Sequence, residues 1–191
     1  MRKVIMWNLV TLDGFFEGPK PWDLDFHNYV WGDELHQLSI EQLRDADALL
    51  FGRRTYEGMA NYWPTATDDV APLMNGIAKV MFSRTLEHAT WSNTRVVHER
   101  AEVEVPRLKQ RSGKDMLVFG SADLCASLIR HGLIDEYRLC VAPVVLGAGN
   151  PLFKPSPDEV KLELVDVRSL RTGGVILRYA PQAASVSAAA K

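Results

Sequence analysis

Three stretches of this 191-residue chain end an apolar run in residues able to hold an anion: Gly52-Arg53-Arg54-Thr55, Ser83-Arg84 and Gly120-Ser121-Ala122. In ALLFGRRTYEGMANYW the apolar run stops at Gly52 and a helix starts within Arg53-Arg54-Thr55. Cations at a helix N-terminus oppose its dipole by about 0.3–1 kcal/mol each, so two in succession point to an anion bound there. Free N–H groups, the Thr55 hydroxyl and two guanidinium forks make a phosphate site; the plain alternative is a pair of solvated arginines at a turn. KVMFSRTL brings Ser83 and Arg84 to the same kind of strand end, although alone it is an ordinary loop sequence. In MLVFGSADLCASL, Gly120, Ser121 and Ala122 open a helix. Small residues there admit a ligand close to the backbone and the helix N-terminus attracts a pyrophosphate, but they equally suit a tightly packed helix start.

Open α/β sheets bind ligands outside the carboxyl ends of neighbouring strands. Three anion-friendly ends in one sheet point to a dinucleotide, and the arginine pair with Ser83-Arg84 favours one carrying an extra phosphate, NADP. Other chemistries lack their residues. No G-x-G-x-x-G, G-x-x-x-x-G-K-[ST] or G-x-S-x-G occurs, which removes the Rossmann fingerprint, the P-loop and the hydrolase elbow. Histidines 27, 36, 88, 98 and 131 show no metal-ligand spacing, so no metal is expected.

These strand ends need a scaffold. Residues 3–12, nearly continuously apolar, read as a strand buried on both faces, and the shorter runs 48–52, 79–83, 94–99 and 116–120 read as strands. Helical periodicity occupies 33–45, 54–62 and 68–77, and SADLCASLIRH ends at Gly132 with Arg130 and His131 in its last turn. Segment 101–114, with Pro106 inside it, is left unassigned. After 134, DEYRLCVAPVVLG, KLELVDVRSL and VILRYA are strands without room for helices between them, hence antiparallel. VLGAGNPLF reads as a turn between two such strands, with Gly147 and Gly149 in unusual backbone conformations. The expected fold is one α/β domain over residues 1–180, a mixed, mostly parallel sheet of about eight strands with antiparallel C-terminal strands and helices on both faces. Residues 181–191 are expected to form a disordered tail.

Composition agrees with an ordinary globular protein. Lys and Arg number 22 against 24 Asp and Glu, a net charge of −2, so no chain-wide attraction to nucleic acid or anionic membrane is expected. The N-terminal apolar run is broken by Asn8, Thr11 and Asp13 and lacks a cleavage signal, and nothing approaches a membrane span. Cys125 and Cys140 match no zinc or redox spacing and read as reduced core thiols of a cytoplasmic protein.

Taken in order, TLDGFF, GRRTYE, FSRTL, FGSADL and GLIDEYRLCVAPVVLGAGNPLF resemble the dihydrofolate reductase-like superfamily. The resemblance is nearest to the branch of the reductase domain of the riboflavin-pathway deaminase/reductase (RibD C-terminal type). It implies an NADPH-dependent reductase fold of eight strands, often a homodimer, and supports phosphate roles for Gly52, Arg53, Arg54, Thr55, Ser83 and Arg84. Family members commonly carry two consecutive glycines where this chain has Gly120-Ser121; a serine hydroxyl could donate to the phosphate instead.

Reducing a C=N bond needs a hydride on carbon and a proton on nitrogen, hence an acid or a positioned water. Asp13, Asp23, Asp25 and Asp33 are the candidate acids. PWDLDF (21–26) is similar to the loop before the substrate-side helix of dihydrofolate reductases, which favours Asp25, although an acid in a first helical turn also suits helix electrostatics. Asp13 in TLDG is similar to the family's strand-end motif and could position a cofactor-covering loop, or simply make a turn. Trp7, Trp22 and Phe26 are candidate flat surfaces for a pterin or pyrimidine ring, or core. The expectation is a cytoplasmic NADPH-dependent reductase of a small heterocyclic C=N or imine substrate; the alternative is a non-catalytic dimeric ligand-binding protein on the same scaffold.

Overall fold

The computed structural model describes residues 1–182. Its elements run β1 (Val4–Thr11), β2 (Phe15–Glu17), a 3-10 turn (Asp25–Tyr29), α1 (Asp33–Arg44), β3 (Ala46–Gly52), α2 (Arg53–Tyr62), α3 (Ala71–Gly76), β4 (Ala78–Phe82), β5 (Thr94–Val97), α4 (Ala101–Gln110), β6 (Asp115–Phe119), α5 (Ala122–Arg130), β7 (Glu136–Ala142), β8 (Asn150–Pro151), β9 (Leu162–Ser169) and β10 (Val175–Pro181). One eight-stranded sheet has the order β5-β4-β3-β6-β1-β7-β10-β9. The strands from β5 to β7 are parallel, β10 runs antiparallel to β7, and β9 antiparallel to β10.

Alternation along β1 explains the layers. Val4, Met6 and Val10 face α4 and α5, packing with Val105, Leu108, Leu124, Cys125 and Leu128. Ile5 and Trp7 face the opposite side, Ile5 against Ile40 and Leu43 of α1 and Met74 of α3, Trp7 against Phe26, Val30 and Leu35. With both faces covered, β1 needs apolar residues at odd and even positions alike, which is why its sequence reads as a continuous run. Each such side chain contributes roughly 1.5–3 kcal/mol on burial.

Several boundaries differ from the sequence reading for local reasons. Helix α3 starts at Ala71 rather than 68, because the Asp68 carboxylate accepts the N–H groups of Val70 and Ala71 (2.9 and 3.1 Å) and closes a turn there. Segment 101–110 is helical despite Pro106, since Ala101, Val105 and Leu108 bury one face in the core. The loop VLGAGNPLF does not join neighbouring antiparallel strands: β7 pairs with β10, not β9, and the loop forms β8, which pairs with β2. Gly147 and Gly149 do have positive φ, 74° and 157°. β10 runs through Pro181, one residue into the expected tail, the rest of which from 183 lies outside the described residues. Among the described residues, no helix is long and apolar enough to cross a membrane. Cys125 and Cys140 are buried and free, their thiols pushed up to about 12 by burial.

Candidate active site

The parallel order β4-β3-β6-β1 brings the three anion-friendly strand ends together. Gly52 pairs with Phe82, so the ends of β3 and β4 are in register, and β3 lies directly beside β6. Helix α2 starts immediately after Gly52 and α5 immediately after Ser121. Their N-termini are linked: the Gly52 N–H donates to Ser121 Oγ at 2.9 Å. A Cβ on Gly120 would stand 3.1 Å from the Thr55 methyl and 3.2 Å from its hydroxyl, so Thr55 and Gly120 are in close approach. Gly52, Thr55, Gly120 and Ser121 thus form one compact cluster, and Ala122, the first residue of α5, is buried.

The bend that opens α5 is left-handed at two consecutive residues, Gly120 (φ 51°) and Ser121 (φ 56°). For glycine this is free, whereas for a residue with a side chain it costs roughly 1–2 kcal/mol. Ser121 accepts that cost while its hydroxyl satisfies Gly52. Because the oxygen accepts from Gly52, its own proton is available to donate outward. The departure from two glycines therefore keeps a donor at the helix mouth.

At the neighbouring end, Ser83 is buried and its Oγ accepts the N–H groups of Thr85 and Leu86 at 3.2 and 3.0 Å. Arg53 is less free than its sequence position promises. Its Nε donates to Glu57 at 2.7 Å, one turn further along α2, and a terminal nitrogen donates to Thr85 Oγ1 at 2.7 Å. It braces α2 against the loop after β4. Arg54 and Arg84 are exposed and, among the described residues, have no ion-pair partner, so they are the free forks.

Asp13 is not placed as a proton donor. Its carboxylate accepts the Thr11 hydroxyl (2.7 Å) and the N–H groups of Leu146 (3.2 Å) and Gly147 (2.7 Å). These donors, the Thr11 hydroxyl foremost, hold it below the usual carboxylate range. Its part is to tie the end of β1 to the loop after β7. Asp25, the first residue of the 3-10 turn, is exposed and without a hydrogen-bond partner among the described residues; Asp33 is fully exposed at the start of α1.

Two of the three aromatic candidates are corrected. Trp7 and Phe26 are 4% and 3% exposed, locked in the core beside Val30 and Leu35, and present no face to a ligand. Trp22 is 40% exposed and sits at φ 64°. A Cβ on Gly58 of α2 would fall 2.3 Å from its ring, so Gly58 is the seat that receives it. The Trp22 N–H donates to Glu17 (2.6 Å), whose other oxygen accepts from Asn150 (3.1 Å). Phe16, at the start of the same segment, lies 3.7 Å from where a Gly120 Cβ would stand. Residues 14–24 therefore cross from the α5 mouth to α2 as a strap over the strand ends. A cavity of about 350 Å³ lies elsewhere, between the first turn of α1 and the β9–β10 turn, lined by Val30, Glu34, Leu35, Arg171 and Thr172 among others. It touches none of the phosphate candidates.

The sequence matches the RibD C-terminal domain family over residues 2–176. The chain belongs to this family. It is 32% identical to YyaP of Bacillus subtilis strain 168, an uncharacterised protein, over 93% of this chain and 94% of YyaP. Among solved structures, a Shewanella sp. PV-4 protein whose name assigns it to riboflavin biosynthesis superposes with a TM-score of 0.80 at 17% identity, covering 95% of this chain and 99% of the other. Dihydrofolate reductase from Enterococcus faecalis, complexed with NADP(H), superposes at 0.63 and 13% identity, over 95% and 97%. At these identities the likeness is one of fold, and this RibD C-terminal domain has the dihydrofolate reductase-like fold.

Sequence reasoning missed three residues of this RibD C-terminal domain that the strand ends use: Gly58, whose lack of a Cβ seats Trp22, Thr85 holding Arg53, and His98, whose Nδ1 lies 2.8 Å from the Ser83 carbonyl. Each is a contact between segments far apart in sequence, and none has a motif of its own.

Proposed function

We propose that this protein is an NADPH-dependent reductase of a small heterocyclic C=N or imine substrate of pterin or pyrimidine type. The observation that carries the reading is the Gly52 to Ser121 hydrogen bond, which joins two helix N-termini at adjacent parallel strand ends. The residues suit the cofactor. Gly120 lets Thr55 approach closely at the α5 N-terminus, Ser121 and Thr55 offer hydroxyls, and Arg54 and Arg84, just past the ends of β3 and β4, supply guanidinium groups with no ion-pair partner among the described residues. When bound, NADPH supplies the hydride. This chain's residues bind and orient it, and the strap from Phe16 to Trp22 screens the strand ends from water.

The proton has a different source. Asp13 is committed to the loop after β7, which leaves Asp25, or a water held near it, as the donor of this reading. Trp22 is the aromatic surface that remains for a planar substrate.

A second copy of the chain completes the proposal. On the sheet face that α4 and α5 cover further along, β9 exposes Leu164 and Val167 at 54% and 55%, opposite Tyr179 and Leu177 of β10. We assign this apolar strip to a homodimer.

The test of activity is NADPH oxidation followed at 340 nm with dihydrofolate, aminopyrimidine and quinonoid substrates in turn. Turnover with one of them, reduced by Asp25→Asn, is the expected result. Tight NADPH binding with no turnover on any would favour the non-catalytic ligand-binding alternative.

A further inference from the structure

Strands β4 and β5 form the edge of the sheet nearest Arg84, and their register pairs Phe82 with Val97. The next residues, Ser83 and His98, therefore leave the sheet side by side, and the Ser83 N–H continues the ladder to the Val97 carbonyl at 3.0 Å. His98 Nδ1 lies 2.8 Å from the Ser83 carbonyl oxygen. A carbonyl only accepts, so Nδ1 carries the hydrogen, which fixes the tautomer. His98 is exposed, and its Nε2 has no partner among the described residues. The ring is held by one nitrogen and offers the other.

Arginines follow the ends of β3 and β4. Ser83 supplies a hydroxyl, and Arg84 and Arg54 are exposed without ion-pair partners among the described residues. Of the nearby carboxylates, Glu102 pairs with Arg100 and Glu57 holds Arg53, while Glu99 accepts only the Arg100 backbone N–H at 3.0 Å and Glu87, in the loop after Arg84, has no partner among the described residues. From the α5 mouth to the end of β4 is two inter-strand spacings, roughly 10 Å, a distance one nucleotide spans between its 5′- and 2′-substituents. His98 ends the next strand out.

Resting on the NADPH reading above, we propose that His98 is a specificity-determining residue of the cofactor site. Its Nε2 contacts the phosphate monoester on the adenosine ribose beside Ser83 and Arg84, and so favours the phosphorylated dinucleotide over NADH. A monoester with close to two negative charges gains from a proton shared with imidazole, whereas an unphosphorylated ribose offers His98 no comparable partner.

Asparagine separates this role from the packing role, because its amide can reach the Ser83 carbonyl as Nδ1 does but has nothing in place of Nε2. Wild-type, His98→Asn and His98→Ala proteins are titrated with NADPH, NADH and adenosine 2′,5′-bisphosphate, with circular dichroism confirming the fold. The expected result is an NADPH and bisphosphate Kd raised about ten-fold in both variants, with NADH changed less than about two-fold. An unchanged NADPH to NADH ratio in His98→Asn, with wild type binding NADPH, overturns the role of His98 alone. Wild-type protein that binds neither NADPH nor the bisphosphate overturns the cofactor reading and this role with it.

Discussion

Replacing Ser121 separates two effects that the structure combines in one residue. The hydroxyl accepts the half-buried Gly52 N–H at 2.9 Å, and the backbone stands at φ 56°, ψ 61°. Ser121→Ala removes the acceptor, leaving a donor without a protein partner at a loss of about 1–1.5 kcal/mol, the lower end of the range because Gly52 is not fully buried. It keeps the left-handed strain. Ser121→Gly loses the same hydrogen bond but relieves that strain by about 1 kcal/mol, partly offset by the freedom glycine adds to the unfolded chain. The predicted order of stability is wild type, then Ser121→Gly, then Ser121→Ala, with the glycine variant closer to wild type. In urea, with a slope of roughly 2–3 kcal/mol per molar, Ser121→Ala should unfold about 0.5 M earlier than wild type. An alanine variant at the wild-type midpoint, or one more stable than the glycine variant, would refute the account of this turn.

Gly58→Ala places a Cβ in the seat of Trp22, so the strap should detach, with amide exchange over residues 18–24 rising about ten-fold, equal to ~1.4 kcal/mol of local stability; unchanged exchange would mean the ring is not held there. Burial pulls the His27 imidazole down to about 4 from 6.5. Between these values the unfolded chain binds a proton that the folded one does not, so stability is complete above pH 6.5 and falls by roughly 3 kcal/mol as pH drops to 4. His27→Gln should flatten this decline between pH 6.5 and 5, above the range where carboxylates contribute, and urea midpoints across pH read it; a slope that persists in the variant assigns it to other groups. Val167→Asp puts a charge in the apolar strip of β9, and sedimentation at micromolar concentration should show a dimer for wild type and a monomer for the variant. A monomeric wild type would end the homodimer assignment.

What the sequence makes legible is local. The strand ends at Gly52, Ser83 and Gly120 stand out because an apolar run stops at a small or cationic residue, and parallel strands in this topology must end on one side. The helix start at Arg53-Arg54-Thr55 reads correctly for the same reason. Long-range pairing is not legible. Nothing near Asp13 indicates that its oxygens are taken by Leu146 and Gly147, so its carboxylate reads as an acid until the loop is seen folded back onto it. Trp7 and Trp22 look alike as aromatic residues, yet one faces Phe26 and Leu35 in the core and the other rests on Gly58. Arg53 reads as a phosphate ligand because nothing in the sequence shows its guanidinium shared between Glu57 and Thr85. Ser121 looked like a lost glycine, and in the structure it is the residue that joins α2 to α5.

The central claim is that these strand ends hold NADPH. Energy transfer from the five tryptophans to the reduced nicotinamide, measured by fluorescence titration with NADPH and separately with NADH, tests it most directly. The account predicts saturable binding, clearly tighter for NADPH, and weakened by Arg84→Ala. Absence of binding by either nucleotide would contradict it, and the scaffold would then belong to a binding protein for another ligand.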